Sequence, residues 1–86
     1  MSAIDEVITS LQSVVDELND ATNTASAAKN AADEGLSHAM AAGGGATVAG
    51  YNVIKDTIDK LTQQIAAAVD VANDAIGQAK AVADGT

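Results

Sequence analysis

The chain contains no cysteine, proline, tryptophan or phenylalanine, and Tyr51 is its one aromatic residue. The missing thiols exclude disulfides, thiolate nucleophiles and sulfur-ligated metals together. The missing aromatics leave almost nothing on which to stack a base or build a cage for a cationic ligand. Basic residues are scarce too: Lys29, Lys55, Lys60 and Lys80 stand against twelve carboxylates, for a formal charge of −8. Such a balance repels phosphate backbones and anionic headgroups, so no nucleic-acid partner is expected. No stretch is apolar for long enough to span a membrane. Met1-Ser2-Ala3-Ile4-Asp5-Glu6 has neither the basic region nor the apolar run of a cleavable leader. The expectation is a chain that is cytoplasmic, or is secreted without a cleaved signal peptide.

What the sequence does contain is alanine, about a quarter of the chain, threaded by aliphatic residues at helical spacing. Ser2 followed by Asp5 has the form of a capping box with a short acid, which starts a helix at Ala3. Ile4, Ile8, Leu11, Val15 and Leu18 step alternately by four and three, with Val7 and Val14 in an adjoining column. The stripe continues as Ala21, Ala25, Ala28, Ala32 and Ala39. Gly43-Gly44-Gly45 then interrupts the pattern. Glycine costs about 1 kcal/mol against alanine inside a helix, so three in succession end one helix and reverse the chain. After them Thr47 or Asn52 is placed to cap a second helix. In it Ile54, Ile58, Leu61, Ile65, Ala68, Ala72, Ala75, Ala79 and Val82 keep the same alternation. The fold expected is all-α: a single antiparallel helical hairpin over residues 1–86, with helices at about 3–42 and 47–84 and the bend at Gly43, Gly44 and Gly45. Folding the halves together pairs residues whose numbers sum to about 88, which sets large side chains against small ones.

No catalytic constellation accompanies this pattern. Glu34 and His38 share a face at i, i+4, yet so few ligands from one helix make a weak metal site, and a solvent-facing histidine near a helix C-terminus accounts for the same residues. The adjacent carboxylates Asp5/Glu6, Asp16/Glu17 and Asp33/Glu34 point to different azimuths and cannot work as a paired acid and base. The glycine triplet lacks the lysine and the preceding strand of a phosphate loop. No enzymatic activity, cofactor or metal is expected. Tyr51, beside the bend, reads either as a contact residue at the hairpin tip or as a lid over Leu36 or Met40 at the end of the seam.

The aliphatic residues of helix 1 fill two columns, more than the alanine-rich second half of helix 2 can cover. Each large aliphatic left in water forfeits about 1.5–3 kcal/mol. A second hairpin would bury the surplus by completing a four-helix bundle, through an interface drawn from Ile4, Val7, Ile8, Leu11, Val14, Val15, Leu18, Ile58, Leu61 and Ile65. The partner implied is the chain itself, as a homodimer, or a related helical hairpin.

In length, central bend and lack of a leader the chain resembles the small Esx-like (WXG-type) helical hairpins of type VII secretion and their actinobacterial relatives. Where that family carries Trp-Xaa-Gly, this chain reads His38-Ala39-Met40-Ala41-Ala42-Gly43-Gly44-Gly45. The family's export tyrosine is C-terminal and followed four residues later by an acid, whereas Tyr51 lies just after the bend and is followed by Lys55. The resemblance implies a dimer exported folded, beside a partner that carries the export signal. More faintly, Ala27-Ala28-Lys29-Asn30-Ala31-Ala32-Asp33-Glu34 is similar to alanine-rich desiccation-protective helices. The function expected is a non-enzymatic protein–protein interaction module, an Esx-like secreted or secretion-associated hairpin acting as a dimer. The alternatives are a structural subunit of a larger helical complex or filament, and a small cytosolic adaptor or antitoxin that folds on its partner.

Overall fold

The computed structural model describes residues 2–85, which form two long helices and no strand, α1 (Ala3–Ala42) and α2 (Gly45–Gly85). The expected all-α hairpin is the fold. Ser2, in extended conformation, opens α1. Its hydroxyl oxygen accepts from the Asp5 amide at 3.3 Å while its O–H donates to the Asp5 carboxylate at 2.9 Å, and Asp5 and Glu6 face the positive end of the helix.

The reversal takes two residues. Gly43 adopts the left-handed conformation (φ 74°), which a β-carbon would oppose by about 1–2 kcal/mol. Its N–H donates to the Met40 carbonyl at 3.2 Å and that of Gly44 to the Ala39 carbonyl at 3.1 Å, the two bonds of a Schellman closure. The Gly44 carbonyl then accepts from the Val48 amide at 2.9 Å and so begins α2. Gly44 thus stands where Thr47 or Asn52 was expected to cap. Both of those lie inside α2, which starts at Gly45, so Gly45 belongs to the first turn of the helix rather than to the bend.

The hairpin measures 65 × 16 × 11 Å, two helices wide and one helix thick. Ion pairs Lys29–Asp59 and Lys55–Asp33, with Tyr51 lying over Gly35, fix the register, and facing numbers sum to between 86 and 88, as the hairpin expectation requires. Along α1 the inward residues are Ile4, Ile8, Leu11, Val15, Leu18, Thr22, Ala25, Lys29, Ala32, Leu36 and Ala39, an unbroken four-three alternation. The most buried are Ala25, Ala32 and Ala39 on α1 and Ile65, Ala72 and Ala79 on α2, and the small size of the alanines lets the backbones approach. No described side chain is wholly enclosed.

Two details of the expected seam are corrected. Thr22 and Lys29, rather than Ala21 and Ala28, continue it on α1, and Ala28 is exposed. On α2, Ile58, Ile65, Ala72 and Ala79 face inward as expected, but their companions are Tyr51, Lys55, Thr62, Val69 and Ile76, while Ile54, Leu61 and Val82 lie outside. Both phases share the same four residues, so apolar spacing alone does not choose between them. The polar members fit the seam because their polar ends are satisfied locally. Thr22 donates to the Leu18 carbonyl at 3.1 Å and Thr62 to that of Ile58 at 3.0 Å, and the lysines lay apolar stems along the seam with their ammonium groups at its edge.

Glycine substitutions separate these roles. Gly43→Ala should cost about 1–2 kcal/mol in urea denaturation, whereas Gly45→Ala, in open space within a helical turn, should stabilise by up to about 1 kcal/mol. At Gly35 an added β-carbon would run into the Tyr51 ring. Gly35→Ala is therefore expected to forfeit its gain in helix propensity in the native background and recover it, about 1 kcal/mol, in a Tyr51→Ala background.

Candidate functional site

Seven-residue spacing divides each helix into columns. On α1 the central column is Leu11, Leu18, Ala25, Ala32 and Ala39; on α2 it is Tyr51, Ile58, Ile65, Ala72 and Ala79. Four residues further on from each lies one flank, containing Lys29 and Lys55; three residues further on lies the other, containing Val14 and Leu61. Lys29 Nζ meets Asp59 Oδ1 at 2.6 Å, and Lys55 Nζ meets Asp33 Oδ1 at 2.6 Å. Each lysine reaches a carboxylate one residue past the opposite helix's central column, on the same side of that helix as its own lysine-bearing flank, which places both of those flanks on one broad face of the hairpin. The remaining two flanks lie together on the opposite face.

That opposite face is apolar. Val7, Val14, Ala21, Ala28 and Gly35 run along it from α1, and Ile54, Leu61, Ala68, Ala75 and Val82 from α2. Val7 (47%), Val14 (41%), Ile54 (48%), Leu61 (48%) and Val82 (56%) are all exposed. Its outer margins are Ala3, Ser10, Glu17, Thr24, Ala31 and His38 on α1 and Gly50, Thr57, Gln64, Val71 and Gln78 on α2. None of the four lysines falls here, and of the twelve carboxylates two reach its edge, Glu17 at the outer margin and Glu6 in the groove at the open end. Two shallow, mainly apolar grooves mark its ends, one along Ala3, Glu6, Val7, Ser10, Leu11 and Val14 and one at Thr47, Gly50, Tyr51 and Ile54.

The ion-pair face is electrostatically different. The Lys29 amine is raised above its ordinary 10.5, first by its hydrogen bond to Asp59, then by the charge of that carboxylate, with desolvation opposing and Asp33 adding a smaller push. Both pairs remain substantially exposed, so they specify register more than they stabilise. Among the described residues no three metal-ligating side chains converge, and Glu34 and His38 are both exposed. No helix of the described residues is long and apolar enough to cross a membrane.

The residues nominated from sequence as an interface separate into two groups. Ile4, Ile8, Leu11, Val15, Leu18 and Ile58 are half-buried and Ile65 is buried, all within the hairpin's own seam; Val7, Val14 and Leu61 stand on the open face. Tyr51 is half-buried over Gly35 and forms the inner wall of the groove near the bend. Apolar spacing puts Ile54 and Val82 in the seam, one column out of phase, whereas both lie at the surface. The oppositely charged pairs at matching distances from Gly44 carried the signal that corrects it. Comparison with known families, with characterised proteins and with solved structures finds no match to this chain.

Linkage predicts when the Lys29 pair matters. A lysine raised in the folded state lends stability that is fully present below the unfolded value and is lost as pH climbs through the folded one. The melting-temperature difference between the native chain and Lys29→Met should therefore stay constant between about pH 7 and 9 and change only above the lysine value of 10.5. Thermal melts across that range check it.

Proposed function

We propose that the chain is a non-enzymatic interaction module, a helical hairpin whose apolar face takes up a second helical hairpin to complete a four-helix bundle. The observation that carries this reading is a molecule one helix thick with a continuous apolar face on one side and ion pairs on the other. Stable domains set two packed layers around a core, and one layer leaves its second face without cover. Five large aliphatics on that face are each about half exposed, and covering the rest would gain roughly half of the 1.5–3 kcal/mol of full burial apiece, about 4–8 kcal/mol in all, which is comparable to the stability of a small domain. The partner is a copy of the chain or a related hairpin. Size and central bend support an Esx-like, secretion-associated setting, which detection of the intact chain outside the cells that make it would test.

A second reading, growth into a larger helical assembly, is favoured by Met40 and Val53. Both are 64% exposed, lie toward the bend end and fall off the apolar face.

If the hairpin works by completing a bundle, its melting temperature rises with the concentration of chain or partner, because association stabilises the folded state by mass action. Circular dichroism melts over a hundredfold range of concentration make the measurement. A fully helical monomer with an unchanging melting temperature, alone and with added related hairpins, would rule the module out.

A further inference from the structure

The bundle reading leaves the occupant of the apolar face open, and resting on that reading we infer that it is a second copy of this chain, seated face to face about a twofold axis. Three observations converge on this occupant. The first is area. The broad side of the hairpin, 65 by 16 Å, outlines on the order of 1,000 Å², room enough for the roughly 800 Å² per partner of a standard stable interface.

The second is charge. Two chains of −8 each repel one another unless their carboxylates are kept apart. Ten of the twelve carboxylates lie off the apolar face, and the other two stand at its edges, Glu17 at the outer margin and Glu6 in the groove at the open end, so two copies can meet along the middle of the face without burying an unpaired charge. A basic partner would be expected to find acidic groups waiting for it, and this face offers only those two, both exposed.

The third is shape. Four of the five large side chains occupy one diagonal of the face: Val7 and Val14 toward the open end of α1, Ile54 and Leu61 toward the bend end of α2. The other diagonal is small but for Val82 at the open end of α2, with Ala28 and Gly35 near the bend on α1 and Ala68 and Ala75 along α2. Either twofold rotation that brings two such faces together lays Val14 and Leu61 of each copy on the small diagonal of the other. Self-complementarity of this kind is what an isologous interface requires, and close approach over alanine and glycine with aliphatics opposite gives the packing density of a core.

Light scattering of the full chain at micromolar concentration should give twice its 8.5 kDa mass. Leu61→Glu and Val14→Glu should each weaken dimerisation at least tenfold, while Asn73→Glu, on the ion-pair face, leaves it unchanged. Because a monomeric variant could also lose helicity, a second measurement uses single cysteines in a chain that otherwise has none. A28C on the apolar face should react with a maleimide at least tenfold more slowly in concentrated than in dilute solution, whereas A66C on the ion-pair face reacts equally fast in both. A dimer that survives both glutamate substitutions, or in which A28C stays reactive, overturns this inference and leaves the bundle reading standing. Growth beyond two copies overturns it likewise. A helical monomer at every concentration overturns the self-partner, and only the further lack of response to any related hairpin would sink the bundle with it.

Discussion

Ala25, Ala32 and Ala39 on one helix, and Ala72 and Ala79 on the other, let two backbones come together along a line some forty residues long. Everything else in the structure depends on that close approach. Small side chains bring the helices near but have little apolar area of their own to bury, so each level needs a larger neighbour such as Leu11, Leu18, Ile58 or Ile65. The contact this makes is narrow. One stripe per helix is covered, and a molecule built from a single layer has nothing with which to cover the next stripe. The half-exposed aliphatics beside the seam follow from the architecture.

Polar residues within the seam give it direction. Thr22 and Thr62 return their hydroxyls to their own helices, so neither leaves an unpaired donor between the backbones. Lys29 and Lys55 cover apolar surface with their stems and reach carboxylates on the opposite helix. Alanine-rich stripes slide easily past one another, because one alanine resembles the next. A slip of one turn would part both ion pairs and move Tyr51 off Gly35, the one level of α1 without a β-carbon to obstruct the ring. Charge at the edge and shape near the bend therefore fix what hydrophobic area leaves loose.

Much of the fold was legible in the sequence. The capping pair Ser2 and Asp5, the four-three spacing from Ile4 to Leu18 and the glycines at the midpoint each report a local preference, and these preferences agree with one another. The phase of α2 was not legible from hydrophobicity. Ile54 and Leu61 outrank Lys55 and Thr62 on any apolar scale, yet the latter pair faces inward. A residue's column is decided by what stands across from it, which spacing within one helix does not reveal. For the same reason spacing reveals the open face only in part: it points to Val7, Val14 and Leu61 as surplus but puts Ile54 and Val82 in the seam, although both are exposed.

Gly44 closes α1 with its amide and opens α2 with its carbonyl, so no spare chain separates the two helices. A longer connection would act as a slack hinge and absorb an extra residue without consequence. Here each insertion would rotate the whole of α2 about its axis by about 100° and present a different set of side chains to α1. Changes in length near the turn are consequently confined to whole heptads added equally to both helices, and the tightness of the turn makes this protein's two halves inherit their alignment as one unit.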